Sequence, residues 1–259
     1  ILCTDKTGTL TCDQIVLEKY INADGTSDNS RRILRHAYFN SFFQTGLKNL
    51  MDKAILSHVR ELEMESVRES YKKVDEIPFD FTRRRMSVVV EDVSGKRQII
   101  TKGAVEEMMQ ICSHTEVGNK VVPFTPELRV KAYEISKRMN RQGLRVLALA
   151  RRDHARLPDT NALDDVESQL ELLGLIALID PPRPEAQAAV RDCMSAGITP
   201  VMITGDHPAT ARAIAHRLGI VAHADAPVLT GADLAQLDDA ALRARVEQVH
   251  VYARVDPAQ

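Results

Sequence analysis

In its second half the chain alternates short apolar runs with amphipathic stretches. Leu172 to Ile179 is an unbroken apolar run of eight residues and reads as a buried strand. Pro184 to Ala196 reads as a helix closed by Gly197, and Ile198 to Ile203 as a second strand. Pro208 to Leu218 then reads as a helix closed by Gly219, and Val249 to Val255 as a third strand. Glycine just past a helix supplies the left-handed cap conformation. Apolar strands joined by helical crossovers predict a parallel sheet covered on both faces.

The middle has a different texture. Arg31 to Glu65 is long, polar and mostly helical in pattern. Met86 to Glu91 and Arg97 to Thr101 alternate like paired strands around a Ser94-Gly95 turn. Glu106 to Cys112 and Glu127 to Gln142 read as helices, the latter ended by Gly143, and Leu144 to Ala150 as a strand. Arg151 to Gln169 reads as a charged loop region. Strands beside strands predict an antiparallel sheet with helices, an α+β unit. The apolar start and Gly8 of the first 16 residues fit a strand and turn of the parallel sheet instead. The expected architecture is therefore an α/β domain built from residues 1–16 and 180–259, with the α+β domain, residues 17–179, inserted between its halves.

Composition narrows the function. Apolar residues make up 44% and charged residues 27%, the balance of a globular chain. Thirty-four basic against 36 acidic side chains give a net charge of −2, which offers a polyanion no attraction. Aromatics are 4% and Trp is absent, so stacking platforms for nucleic acid are not expected. Four cysteines without CxxC spacing suit a reducing compartment. No run approaches the roughly 20 apolar residues of a membrane helix. The chain opens inside an apolar run without an initiator Met and stops just after a strand-like stretch, so a piece of a longer protein is expected.

Cys3-Thr4-Asp5-Lys6-Thr7-Gly8-Thr9-Leu10-Thr11 carries most of the chemical information. A carboxylate ending an apolar strand sits at the carboxyl edge of the sheet, where open α/β folds bind ligands. Asp5 can accept a phosphoryl group and so split one hard transfer into two easier ones. Gly8 allows a tight turn, the threonines offer hydroxyls and amides to phosphate oxygens, and Lys6 adds positive charge. Magnesium bridging the carboxylate and the phosphate would call for a second carboxylate nearby. The plainer alternative is a polar strand-end turn. Thr204-Gly205-Asp206-His207 follows a strand and begins a helix, where amides and a hydroxyl suit an anion. Asp180-Pro181-Pro182-Arg183 reads as a rigid loop.

The string DKTGTLT resembles the phosphorylation signature of P-type ATPases, within the haloacid-dehalogenase superfamily, and further matches run to the last residues. The resemblance implies a haloacid-dehalogenase-like phosphorylation domain split by a nucleotide-binding domain. It implies that ATP phosphorylates Asp5, with Lys6 at the site, and that Asp5 and the Thr7 carbonyl hold Mg2+. In phosphatases of that superfamily the position two after the nucleophile is usually a second Asp; here it is Thr7. Without that carboxylate to activate water, the acyl phosphate should persist, as a pump needs. By the same resemblance Thr204 and Gly205 take phosphate, while Asp206 belongs to the site's polar network or the nucleotide. Asp180 and Arg183, in the family's interdomain hinge, become ribose or phosphate contacts. Arg254, in the block Ala253 to Pro257, becomes a nucleotide contact, and His207 a plain turn residue.

No Walker motif or GxGxxG occurs, so an ATP site needs another design. Phe79 to Ser87 (FDFTRRRMS) sets Phe81, able to stack on adenine, beside Arg83, Arg84 and Arg85, able to fork onto phosphate. Such a charge run also occurs as a solvated face. Lys102-Gly103-Ala104 follows the next strand, where Gly103 permits close backbone approach. The resemblance assigns Phe81, Lys102 and Gly103 to the adenine pocket, Arg145 to the phosphates and Asp52 to the neighbourhood of adenine. It leaves open which of Arg84 and Arg85 replaces a Lys of calcium and sodium pumps.

For the ion, Gln44 to Leu50 and Phe79 to Val90 resemble bacterial magnesium-transporting P-type ATPases. From Leu172, especially Ile198 to Ile220, the wording is closer to bacterial calcium-type pumps. Magnesium import is the expectation, with calcium or another cation as the alternative. The expected partners are ATP, a cation carried by a membrane domain outside this chain, and the parent's actuator domain. The expected location is the cytoplasmic portion of an inner-membrane protein, with weak ATP binding and little turnover by the chain alone. A soluble phosphatase and a nucleotide-sensing module are the rivals from other classes.

Overall fold

The computed structural model describes residues 1–12, 14–25, 30–46, 48–62, 65–118, 120–154 and 166–255. They form two compact units. Ile1–Ile15, Lys137–Arg145 and Ile179–Gln259 make the first, Val16–Ser136 and Val146–Leu178 the second.

Strand β1 (Leu2–Asp5) runs into a tight turn over Lys6–Leu10, where Gly8 holds φ 79°, a value costly for any residue with a Cβ. β2 (Val16–Asn22) opens the second unit. The polar stretch expected to be mostly helical divides into α1 (Arg31–Phe43) and α2 (Leu50–Glu61). The break has a cause: Asn49 caps α2, its side chain accepting from Asp52 N at 2.9 Å while Asp52 accepts from Asn49 N at 3.3 Å. Then come β3 (Tyr71–Asp80), β4 (Arg85–Asp92), β5 (Arg97–Ala104), α3 (Val105–Ile111), β6 (Cys112–Val117), β7 (Lys120–Pro123), α4 (Pro126–Arg141), β8 (Arg145–His154) and β9 (Leu170–Ile179).

These strands make an eight-stranded sheet in the order β3-β4-β5-β8-β9-β6-β7, with β2 pairing β9 beside that path. The β3–β4, β4–β5, β5–β8 and β6–β7 pairs are antiparallel, β4–β5 being the pair expected around the Ser94-Gly95 turn, but β6 and β9 run parallel. The sheet also corrects the place of the Leu172 to Ile179 strand. It lies here and not in the parallel sheet, and its apolar run reflects burial on both faces within this sheet. β8 continues to His154, four residues into the stretch expected to be loop; 155–165 lie outside the described residues.

The rest of the first unit is α5 (Ala186–Ser195), β10 (Pro200–Thr204), α6 (Pro208–Leu218), β11 (Leu229–Thr230), α7 (Gly231–Leu234), α8 (Asp239–Val246) and β12 (Val251–Ala253). β1, β10, β12 and β11 form a four-stranded sheet in that order, every pairing parallel. Leu10, Val190, Met202, Ile214, Leu218 and Val251 fill one core cluster of this unit. Val201, Leu229, Val249 and Tyr252 fill another. Among the described residues no helix is long and apolar enough to cross a membrane.

Burial of α1 has a measurable consequence. His36 is 1% exposed, with Nδ1 2.7 Å from the Arg32 carbonyl, and desolvation lowers its pKa from 6.5 to about 4. Between those values the unfolded chain binds a proton that the folded chain refuses. Stability is therefore lost as pH falls through that window, by up to about 3 kcal/mol. Denaturant unfolding of the second unit at pH 7 and 4.5 is expected to show this loss, and His36→Gln to show less of it.

Candidate active site

The parallel sheet brings the Asp5 segment and the Thr204 turn together. Asp5 ends β1 in register with Ile203, and Thr204 ends the neighbouring β10, so both stand at the carboxyl edge of adjacent strands. Asp5 is exposed there. Lys6, the next residue, turns inward and is 1% exposed. Its ammonium lies 2.9 Å from Asp180 Oδ2 and 3.0 Å from Asp206 Oδ2, between two carboxylates themselves largely buried. Isolated buried charge is prohibitive, and this triad is the arrangement that permits it.

The turn is tied down from the Asp180 segment. The Thr11 hydroxyl donates to Asp180 Oδ2 at 2.8 Å and accepts from Gly8 N at 3.3 Å. Arg183 donates from Nε to the Thr9 carbonyl at 3.0 Å and from Nη2 to the Gly8 carbonyl at 2.9 Å. Its backbone N–H donates to the Leu10 carbonyl, and Cys12 N to the Pro181 carbonyl. Arg183 thus spends its guanidinium on the turn that presents Asp5. Thr7 sits half-buried inside that turn.

Thr204 is 3% exposed and its Oγ1 accepts from Asp206 N at 3.2 Å. Gly205 is exposed, with open space where a Cβ would stand. Arg145, which belongs to this unit, pairs with Asp206. Arg254, at φ 53°, donates its backbone N–H to the Asp206 carbonyl. His207 caps α6, its Nδ1 accepting from Ala209 N at 3.2 Å, in keeping with a turn role. Asp256 and Pro257 of the block containing Arg254, and Leu47 of the Gln44 to Leu50 segment, lie outside the described residues.

The second unit gathers a separate group. Lys102 on β5 reaches Asp52 on α2 at 2.5 Å and Ser41 on α1 at 2.8 Å. Asp52 is fully buried and accepts four times, from Lys102, Ser41, Gln44 and Asn49 N. Burial lowers the Lys102 pKa, partly opposed by the Asp52 charge. For Asp52 burial acts upward, but the Lys102 charge and hydrogen bonds outweigh it and the net direction is down. Asp52 is therefore a fixed carboxylate whose lone pairs are already occupied.

Phe81 is 89% exposed at the tip of the β3–β4 turn, edge-on to Phe79 at 5.3 Å. The three arginines do not form a solvated face. Arg83 and Arg85 both bind Glu167, at 2.6 and 2.7 Å, and Arg84 binds Glu107 at 2.6 Å. Gly103 pairs with Arg85 across the strands, and a Cβ there would stand 2.5 Å from Arg85 Cβ. It is a glycine because β4 already fills the space, so the close approach is to protein backbone and side chain.

Glu167, Ser41 and Gln44 are the participants that sequence reasoning missed, and the Thr11 hydroxyl, read with its neighbours as a phosphate ligand, is spent on Asp180 instead. The one available signal was an imbalance, since arginines entering a buried strand require carboxylates from elsewhere.

Comparison with known proteins decides the family. The model described as P-type ATPase, cytoplasmic domain N, matches residues 39–185. Over 258 residues the chain is 40% identical to magnesium-transporting ATPase, P-type 1, of Salmonella typhimurium (strain LT2) and of Escherichia coli (strain K12), covering 99% of this chain and 28% of each relative. It is 34% identical over 277 residues to a calcium-transporting ATPase of Listeria monocytogenes, covering 99% of this chain and 31% of that relative. The chain belongs to the P-type ATPases. It spans under a third of the length of these P-type relatives. The stretch matched to the family's domain N includes Asp52, Phe81, Arg83 to Arg85, Lys102, Gly103 and Arg145, together with Asp180 and Arg183.

Proposed function

We propose that this chain is the ATP-binding and phosphoryl-accepting part of a cation pump, that Asp5 is the residue phosphorylated, and that the cargo is magnesium moving into the cell. The observation that carries the reading is the exposed Asp5 carboxylate at the sheet edge, one residue from a buried lysine held between Asp180 and Asp206. A haloacid-dehalogenase-like phosphorylation domain is the fold reading that fits the four parallel strands and their order.

In the proposed reaction an Asp5 carboxylate oxygen attacks the γ-phosphorus of ATP, the bond to the β–γ bridging oxygen breaks, and ADP leaves. Lys6, fixed by its two carboxylates, contributes positive charge without side-chain reorganisation. The Thr204 and Gly205 turn offers polar groups to the phosphoryl oxygens. Asp5 and the Thr7 carbonyl are hard oxygen donors of the kind Mg2+ takes alongside phosphate and water, so the residues fit that ion. When bound, Mg2+ supplies charge neutralisation at the phosphate. Thr7 offers no carboxylate for activating water, which favours a lasting acyl phosphate over a phosphatase reaction.

In the second unit Phe81 is the stacking face for adenine. Lys102 lines the pocket, and Asp52 acts through Lys102 by holding it in place. Of the three arginines, Arg84 is assigned to phosphate. Arg83 and Arg85 share one fully buried carboxylate, whereas Arg84 is 37% exposed and pairs with a different carboxylate, Glu107, that is itself 21% exposed.

Magnesium over calcium rests on the higher identity to relatives named for magnesium transport, 40% against 34%. The experiment uses the full-length parent in inside-out membrane vesicles, with Asp5→Asn as control. ATP-driven, Asp5-dependent loss of lumenal magnesium is the expected result. Asp5-dependent accumulation of calcium would make the protein a calcium exporter.

A further inference from the structure

The motif run at Phe81 is held by a residue outside it. β4 alternates its faces, so Arg85 and Ser87 point to one side, together with Thr101 across on β5. Glu167 is fully buried against that side. Its Oε2 accepts from Arg83 Nη1 at 2.6 Å and Arg85 Nε at 2.7 Å, and its Oε1 from Ser87 Oγ at 2.7 Å. Ser87 Oγ lies 2.7 Å from Thr101 Oγ1, which continues the chain of polar contacts to β5.

Arg83 also spans the turn. Its Nη2 donates to the Pro78 carbonyl at 2.9 Å and its backbone N–H to Asp80 Oδ1 at 2.7 Å. Arg84 N donates to the Asp80 carbonyl at 2.7 Å, with Arg84 itself at φ 50°, a strained value for a side chain of that size. One carboxylate, 82 residues beyond Arg85 in sequence, thus anchors both the turn and the strand behind it. Gly103 leaves room for the Arg85 stem on the same face. Phe81, with almost no packing of its own, depends on this base for its position.

We propose that Glu167 is a positioning residue for nucleotide binding: through Arg83, Arg85 and Ser87 it fixes the turn that presents Phe81, without touching the nucleotide itself. The inference rests on the reading of Phe81 as the adenine-stacking face.

The test uses the whole chain, with ATP affinity from titration calorimetry and backbone amide exchange from mass spectrometry. E167Q keeps the shape of the side chain and removes its charge. Its ATP Kd is expected to rise roughly tenfold, the loss of a charge-assisted anchor. Amides of residues 81–85 are expected to exchange faster while those of β9 keep their protection. In a Phe81→Ala background E167Q is expected to raise Kd by less than it does in the wild type, because of the turn's proposed nucleotide contacts only Arg84 remains to be positioned. Val88→Ala, on the opposite face of β4, weakens packing without touching the anchor and is expected to leave Kd unchanged.

Full additivity with Phe81→Ala, or unaltered affinity and exchange in E167Q, would overturn the proposal. If the wild-type chain binds no ATP, the nucleotide reading fails, and unaltered exchange at 81–85 in E167Q overturns the anchor as well. Should E167Q not fold, Ser87→Ala removes only one of the three donors and is expected to shift both readouts the same way by less.

Discussion

Replacing Lys6 with methionine is expected to destabilise the first unit by about 3–5 kcal/mol, the range for removing one partner from a buried ionic group. Methionine fills much of the lysine's volume, so the loss is electrostatic and not a cavity effect. Asp180 and Asp206, each within 3.0 Å of the ammonium, would be left facing each other with little water to screen them. Arg145 still reaches Asp206, but Asp180 would keep, among the described residues, only the Thr11 hydroxyl of its present side-chain partners. Lys6→Arg retains the charge and is expected to recover part of the stability. Denaturant melts of the chain decide it; a loss below about 1 kcal/mol, the range of a solvent-exposed pair, would mean the triad is not buried as described. In the full-length protein the same variant is expected to lose Asp5 phosphorylation, because the turn carrying Asp5 is organised around Lys6.

The second large effect is expected at Asp52. Asp52→Ala leaves the Lys102 ammonium, 5% exposed, with Ser41 alone, and also removes half of the capping box of α2. A loss of about 3–5 kcal/mol in the second unit is expected from the stranded charge. The pH dependence identifies the cause. Burial already lowers the Lys102 pKa from 10.5, and removing Asp52 takes away the charge that opposes this. Between the folded value and 10.5 the unfolded chain binds more protons than the folded one, so the variant's stability rises with pH across that window. The deficit relative to wild type is therefore expected to narrow toward alkaline pH. Asp52→Ala combined with Lys102→Met is expected to be more stable than Asp52→Ala alone, because an apolar pair leaves no charge stranded. A deficit independent of pH and untouched by the second substitution would reduce Asp52 to a helix cap.

These two lysines show where the sequence was informative and where it stopped. Lys6 and Lys102 were identified by neighbours along the chain, Asp5 and Gly8 for one, Gly103 for the other. Their partners lie 174 and 50 residues away, and no local pattern encodes such pairs. The helices before Gly143, Gly197 and Gly219 were legible because amphipathic spacing and a left-handed cap coincide, and all three glycines have positive φ. β3 was not, since Tyr71–Asp80 is a polar edge strand containing Pro78, with neither alternation nor an apolar run to mark it. β6 and β7, six and four residues long, are too short to show a pattern of their own. Glu167 was hidden differently. It stands in a charged stretch that resembles solvated loop, and only the fold reveals that its charge is consumed by Arg83 and Arg85.

The most direct test of the central claim is phosphorylation itself. The full-length protein would be incubated with γ-labelled ATP and magnesium, quenched in acid, and mapped by peptide mass spectrometry. The expected result is an acid-stable, hydroxylamine-sensitive acyl phosphate on Asp5 that is absent from Asp5→Asn. Equal labelling of Asp5→Asn, or label on another residue, would contradict the account.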